Sequence, residues 1–237
     1  MAQLKREVEK GVKMVVITTP GNPTGAVCPQ ETMEEISRLC KKHNTWLVVD
    51  EAYEHVLHDG ARHYSPCGNR LGCANNIIHL FSMSKSFGLA GWRVGYAVYP
   101  SWANDEMVKI QDTLPTHACT ASQKIALAAL KGEGCDWARS KVSGLSRCRQ
   151  AMWEAVKGMG SVKGKGAFYF LVPVPVEEDR AIDVLARRFG VLVTPGRAFG
   201  APGNIRASYG SLPEEECLLA IQRLRDGLQA LVAEAAG

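Results

Sequence analysis

Short apolar runs rich in β-branched residues alternate with segments of helical period through the first half of the chain, and this alternation constrains the fold more than any other feature. Residues 13–19 (Lys-Met-Val-Val-Ile-Thr-Thr), 46–50, 77–82 and 94–99 are each bounded by turn formers and apolar on both faces, as strands buried within a parallel sheet are. Between the first two, Met33, Ile36, Leu39 and Cys40 fall on one face at helical spacing, and Pro29 sits where the start of a helix tolerates proline. A β-α-β unit follows, so the expected class is α/β with a mostly parallel sheet flanked by helices.

After Gly132 and Gly134 the pattern becomes one long helix through Ala138, Val142, Leu145, Cys148, Met152 and Val156, ending in glycines. A strand near 167–172, a helix near 181–189, strands near 191–194 and 204–209, and a last helix complete the chain. Ser211-Leu-Pro-Glu214 reads as a capping box for that helix, whose apolar stripe is Cys217, Leu218, Ile221, Leu224 and Leu228. The boundary is expected near residue 132, with residues 1–132 forming part of a larger domain and 133–237 a small α/β domain.

Several function classes are excluded. The net charge is +4 with no basic run interleaved with aromatics, so nucleic acid is not implied. The best apolar run, 167–176, is broken by Pro173 and Pro175 and falls short of the roughly 20 residues that cross a bilayer, so no membrane is implied either. Eight cysteines include no Cys-x-x-Cys pair; no metal is expected, and reduced thiols suit a cytoplasmic setting. The first ten residues carry acidic side chains and no apolar core, unlike a signal or transit peptide.

Ligands of open α/β sheets collect beyond the carboxyl ends of the strands. There this sequence places Pro20-Gly-Asn-Pro-Thr-Gly25, Asp50-Glu-Ala-Tyr53 and Ser82-Met-Ser-Lys-Ser-Phe-Gly-Leu-Ala-Gly-Trp-Arg93. Each is ordinary alone: a turn, a capping carboxylate, a surface lysine. Together, an amide, a carboxylate, a phenol, a lysine and an arginine on adjacent strand ends are the set that pyridoxal phosphate needs. Lys85 is the candidate amine nucleophile and proton shuttle, and Asp50 the carboxylate that keeps the pyridine nitrogen protonated. Tyr53 and Asn22 suit the ring oxygen, while Ser82, Ser84 and Arg93 suit the phosphate. Arg206, in Asn204-Ile-Arg-Ala-Ser-Tyr209, is either a fork for a substrate carboxylate or an edge-strand arginine in solvent.

These residues resemble the fold-type-I pyridoxal phosphate enzymes, specifically the class I/II aminotransferases, over nearly the whole chain. The motif Ser82-x-Ser-Lys85-Ser-Phe-Gly-x-x-Gly-Trp-Arg93-x-Gly95 carries the resemblance most strongly. It implies Lys85 as the Schiff-base lysine, Asp50 as the pyridinium partner, Tyr53 and Asn22 as ring-oxygen donors, Ser82, Ser84 and Arg93 as phosphate ligands, and Arg206 as the α-carboxylate receptor. The runs Met107-Val-Lys-Ile-Gln-Asp-Thr-Leu-Pro-Thr116 and Thr194-Pro-Gly-Arg-Ala-Phe-Gly-Ala-Pro-Gly-Asn-Ile-Arg206 look most like the plant-type aromatic amino acid and methionine enzymes. That implies aromatic amino acids or methionine as donors, 2-oxo acids as acceptors, and a homodimer.

Family members begin earlier, so this sequence reads as N-terminally truncated, with an organellar address possible in the lost part. Strand edges and apolar helix faces are then expected to lie uncovered. Three rivals share the motif set: a carbon-sulfur lyase, a cyclopropane-forming synthase, and an inactive subunit that binds a full-length partner.

Overall fold

The computed structural model describes residues 1–66 and 75–237. Two compact units form, one from residues 1–20 and 27–140, the other from 21–26 and 141–237. Compared with a boundary expected near residue 132, the second unit starts later, inside a helix, and also takes the loop that carries Asn22.

In the first unit, α1 (Ala2–Glu9), β1 (Met14–Thr18), α2 (Gln30–Lys42), β2 (Trp46–Asp50), β3 (Ile77–Ser82), the single helical turn α3 (Met83–Ser86) and β4 (Gly95–Val98) follow in order. β1, β2 and β3 are parallel neighbours and β4 closes the edge antiparallel, giving the order β1-β2-β3-β4. The β-branched runs make these strands, and their period of two sets which side is buried. Val15, Leu47, Val49 and Ile77 form a core with Val8 of α1 and with Met33, Ile36 and Cys40 of α2. Burying each of the larger of these side chains contributes about 1.5–3 kcal/mol.

The alternate positions of β1 meet no such cover: Met14 is 48% and Val16 59% exposed. After β4, α4 (Asn104–Thr113) buries none of its residues, with Val108, Ile110 and its C-cap Leu114 all exposed. α5 (Thr120–Lys131) buries only Ser122 and Ala126, the latter against Met83 and Phe87. One side of β1 and two helices of this unit therefore present apolar surface to solvent.

The single long helix expected after residue 134 is broken into α6 (Gly134–Ser143) and α7 (Ser146–Val156). Between them, Ser146 Oγ donates to the Ser143 carbonyl at 2.7 Å and Leu145 N to Val142 O at 3.0 Å, so the local bonds that replace the helical ladder turn the chain at Gly144.

The second unit adds β5 (Tyr169–Pro173), α8 (Glu178–Phe189), β6 (Thr194–Pro195), β7 (Asn204–Ser208) and α9 (Glu214–Ala236). Its antiparallel sheet has the order β5-β7-β6. Cys148, Met152 and Val156 of α7, Phe170 and Val172 of β5, Val184 and Leu185 of α8, and Ile221, Leu224 and Leu228 of α9 share its core. The strand expected at 191–194 shrinks to Thr194 and Pro195, and Leu192 is 88% exposed. The capping box is not formed. Pro213 is the N-cap of α9 without a side-chain bond, and the Ser211 hydroxyl pairs with that of Ser208 at 3.1 Å. No helix among the described residues is long and apolar enough to cross a membrane.

Candidate active site

The carboxyl ends of the first sheet are knitted together through backbone and side chain. Thr19 N donates to Asp50 O at 3.0 Å and Glu51 N to Leu80 O at 2.9 Å, which continues the parallel ladder one step past the strands. The Asp50 carboxylate accepts from Ala52 N at 3.1 Å, as an Asx-type turn does, and Ser86 Oγ donates to the Ala52 carbonyl at 3.1 Å. Asp50 is half-buried and Tyr53 buried.

Ser82, the last residue of β3, caps α3 by accepting from Ser84 N at 3.2 Å, so Ser82, Ser84 and Lys85 stand on one short turn. Gly95 pairs with Ser82 across the antiparallel edge, bringing Arg93 to the same end of the sheet. A Cβ at Gly95 would meet the Phe81 carbonyl oxygen at 2.6 Å, so only glycine allows this approach. Arg93 has φ +49° and donates from Nη1 to Ala90 O at 2.9 Å. Lys85 and Arg93 are exposed. Sequence reasoning marks six residues, Asp50, Tyr53, Ser82, Ser84, Lys85 and Arg93, and this unit places them on or just beyond the ends of β2 and β3 and ahead of β4.

It missed the cluster behind them. Glu51 is 1% exposed, and its two oxygens meet His63 Nε2 at 2.5 Å and His79 Nδ1 at 2.6 Å, with Ser65 Oγ donating to Oε1 at 3.2 Å. Ser65 also lies 3.2 Å from His79 Nδ1. The hydroxyl and the carboxylate share one ring nitrogen, so the imidazole cannot relay a proton between them and no serine triad is formed. Burial pushes the Glu51 carboxyl up, but the hydrogen bonds from His63 and His79 outweigh it and its pKa lies below the usual value.

Glu54 behaves oppositely: burial first, and repulsion from Glu51 second, raise its pKa from 4.5 to about 7. A carboxyl whose folded pKa is raised costs the native state nothing below pH 4.5, and its penalty grows as pH rises to about 7. Glu54→Gln is therefore expected to stabilise the first unit at pH 8 by roughly 1–2 kcal/mol after allowance for solvent screening, and to be neutral at pH 4.5. Urea unfolding at the two pH values checks this; equal effects at both would refute it.

In the second unit the candidate residue is Arg206, at the centre of β7. Its Nη1 donates to Asn22 Oδ1 at 2.9 Å and its Nη2 to Thr194 Oγ1 at 3.1 Å. Thr194 is its partner in the β6–β7 register, which is why the two side chains meet. Asn22 comes from the 21–26 loop, a tight turn closed by Gly21 N to Ala26 O and Gly25 N to Gly21 O, both 2.8 Å. Gly25 has φ +66°, and a Cβ there would meet Gly166 O at 2.6 Å. Among the described residues no carboxylate lies within ion-pair distance of Arg206, and its Nε is buried without a hydrogen-bond partner. Thr194 was not foreseen beside Arg206, although strand pairing could have shown it.

The sequence profile described as "Aminotransferase class I and II" matches residues 1–224. The chain belongs to that family. It is 38% identical over 229 residues to the aromatic aminotransferase ISS1 of Arabidopsis thaliana, an alignment covering 93% of this chain and 56% of that one. It is 33% identical over 228 residues to the aspartate/prephenate aminotransferase of Thermus thermophilus, covering 93% and 58%. The aromatic aminotransferase structure from Pyrococcus horikoshii superposes with a TM-score of 0.85 at 33% identity, over 95% of this chain and 63% of that one. The chain thus spans somewhat more than half the length of the relatives it matches. Enzymes of this family depend on pyridoxal phosphate.

Proposed function

We propose that this chain carries pyridoxal-phosphate-dependent transamination of an aromatic amino acid or methionine with a 2-oxo acid. The observation that carries the reading is Arg206: a half-buried cation, oriented by Asn22 and Thr194, with donors to spare and no carboxylate partner among the described residues. A half-buried guanidinium left without an anion suits a ligand carboxylate, which accepts two parallel N–H bonds. The identity to an aromatic aminotransferase supports the choice of donor.

The donors of the first unit fit the cofactor: two hydroxyls and a guanidinium for a phosphate, a carboxylate for a pyridinium N–H, a phenol for a ring oxygen, an amine for an aldehyde. Ser82, Ser84 and Arg93 would hold the phosphate, Asp50 the pyridine nitrogen, and Tyr53 the ring oxygen. Asn22, whose carbonyl oxygen is committed to Arg206, keeps its amide N–H groups to donate to ring oxygen or substrate. Bound pyridoxal phosphate supplies an electron sink for charge developing at the substrate α-carbon. Lys85 would move the proton at that carbon. In this reading residues up to about 132 belong to a larger cofactor-binding domain, the remainder is a small domain, and the working form is a homodimer or a complex with a full-length subunit.

Incubation with pyridoxal phosphate, phenylalanine or methionine, and 2-oxoglutarate tests the reaction. The expected result is the matching oxo acid and glutamate in equal amounts; ammonia released without any acceptor would point to a lyase instead. A second reading, a non-catalytic subunit of a longer partner, is favoured by the uncovered apolar faces of β1 and α4. A chain that stays monomeric and well folded at high concentration would count against it.

A further inference from the structure

Arg206 is held by more than its hydrogen bonds. Its Cζ lies 4.4 Å from the ring centroid of Tyr169 and 4.8 Å from that of Phe199. Tyr169 reaches it from β5, two residues along the same face from Leu171, the cross-strand partner of Arg206. Phe199 arrives differently, as the last residue of the 3₁₀ turn Gly196–Phe199. That turn is fastened by the buried carboxylate of Glu178, which accepts from Arg197 Nη1 at 2.9 Å and from Gly203 N at 3.0 Å. Of the five N–H donors of a guanidinium, Asn22 and Thr194 take one each, and Nε–H is buried with no acceptor.

We propose that Phe199 is a positioning residue for carboxylate recognition: with Tyr169 it clamps the guanidinium of Arg206 so that the N–H groups left open form a pre-set fork for a substrate carboxylate. The proposal rests on the reading of Arg206 as the carboxylate receptor. Two ring faces attract the cation without competing for its N–H groups, which a polar neighbour would do. They also keep water from the faces of the guanidinium and fix a long side chain before the ligand arrives, so less freedom is lost on binding. Nothing in the sequence pattern singles out Phe199, since it lies outside any strand.

The test is a titration of 3-phenylpropanoate, and of the neutral 3-phenylpropanamide, into the full ¹⁵N-labelled chain, followed at the arginine Nε–H resonance that Arg206→Lys deletes. In the unaltered chain the carboxylate moves this resonance and the amide does not. Phe199→Leu and Phe199→Met are expected to raise the carboxylate Kd about five- to tenfold, in line with a cation–ring attraction, and Phe199→Tyr to restore it. A Phe199→Leu affinity within twofold of the original, while Arg206→Lys still abolishes binding, overturns the clamp and leaves the receptor intact. Loss of the dispersed β5 and β7 amide signals in both aliphatic variants makes Phe199 a packing residue and also overturns it. Binding that survives Arg206→Lys, followed by ligand-observed spectra, or no carboxylate response in the unaltered chain, removes the receptor reading and the clamp with it.

Discussion

Replacing Lys85 by alanine is expected to abolish covalent retention of pyridoxal phosphate and to lower any transamination by the chain by about 10³-fold or more. The size follows from two losses at one position. The amine is the nucleophile that anchors the cofactor aldehyde, and it is also the acid-base group for the α-carbon, a role that by itself accounts for about 10²–10⁴ in rate. Lys85 sits on the α3 turn, which starts at the Ser82 cap and is tied to the Asp50 turn through Ser86 and Ala52, so alanine there removes the amine without disturbing those bonds. Borohydride treatment followed by peptide mapping is the measurement. Label at residues 79–90 in the unaltered chain and none in the variant is the expected pair; label on a different lysine, or turnover within tenfold of the original, would refute the assignment. An unaltered chain that takes up no cofactor would leave the role of a binding subunit as the better reading.

The second large effect is on stability. Glu51→Leu is expected to destabilise the first unit by about 3–5 kcal/mol at pH 7, because it leaves the buried His79 imidazole, the half-buried His63 imidazole and a serine without the carboxylate they bond to. Glu51→Gln keeps shape and one acceptor and should cost less, about 1–2 kcal/mol. The sign with pH follows from the lowered Glu51 pKa: the carboxylate's contribution is present above its ordinary value of 4.5 and is lost as pH falls through the lower folded value. The gap between the original and Glu51→Gln should therefore close on acidification. Denaturant unfolding followed by tryptophan fluorescence reads it out, since Trp46, Trp92, Trp102 and Trp137 all lie in the first unit. A Glu51→Leu variant as stable as the original would show that the cluster holds nothing together.

Much of this was legible in the sequence because local signals carried it. The β-branched runs gave β1, β2 and β3, helical spacing gave α2 and α9, and the strand-end motifs gave the residues of the first unit from Asp50 to Arg93. What was not legible depends on partners brought together from far along the chain. Glu51 finds His63 and His79 at separations of 12 and 28 residues, and no periodicity announces such pairs. Arg206 finds Asn22 across 184 residues, a meeting that no local pattern announces. Two local readings failed to local competition. The apolar period runs unbroken through Val142 and Leu145, but Gly144 and the Ser146 hydroxyl end the helix there. The Ser211 to Glu214 spacing is that of a capping box, but Pro213 becomes the N-cap and Ser208 captures the hydroxyl.

The uncovered side of β1 and the exposed apolar residues of α4 also bear on how the isolated chain responds to heat and denaturant. The heat capacity and the denaturant sensitivity of unfolding both scale with the apolar surface newly wetted when the chain opens. Met14, Val16, Val108, Ile110 and Leu114 are already wet in the folded state. Opening the first unit thus adds less new apolar surface than a sealed domain of its size would, so its stability curve is flatter and its denaturant transition broader. Anything that covers that face would steepen both.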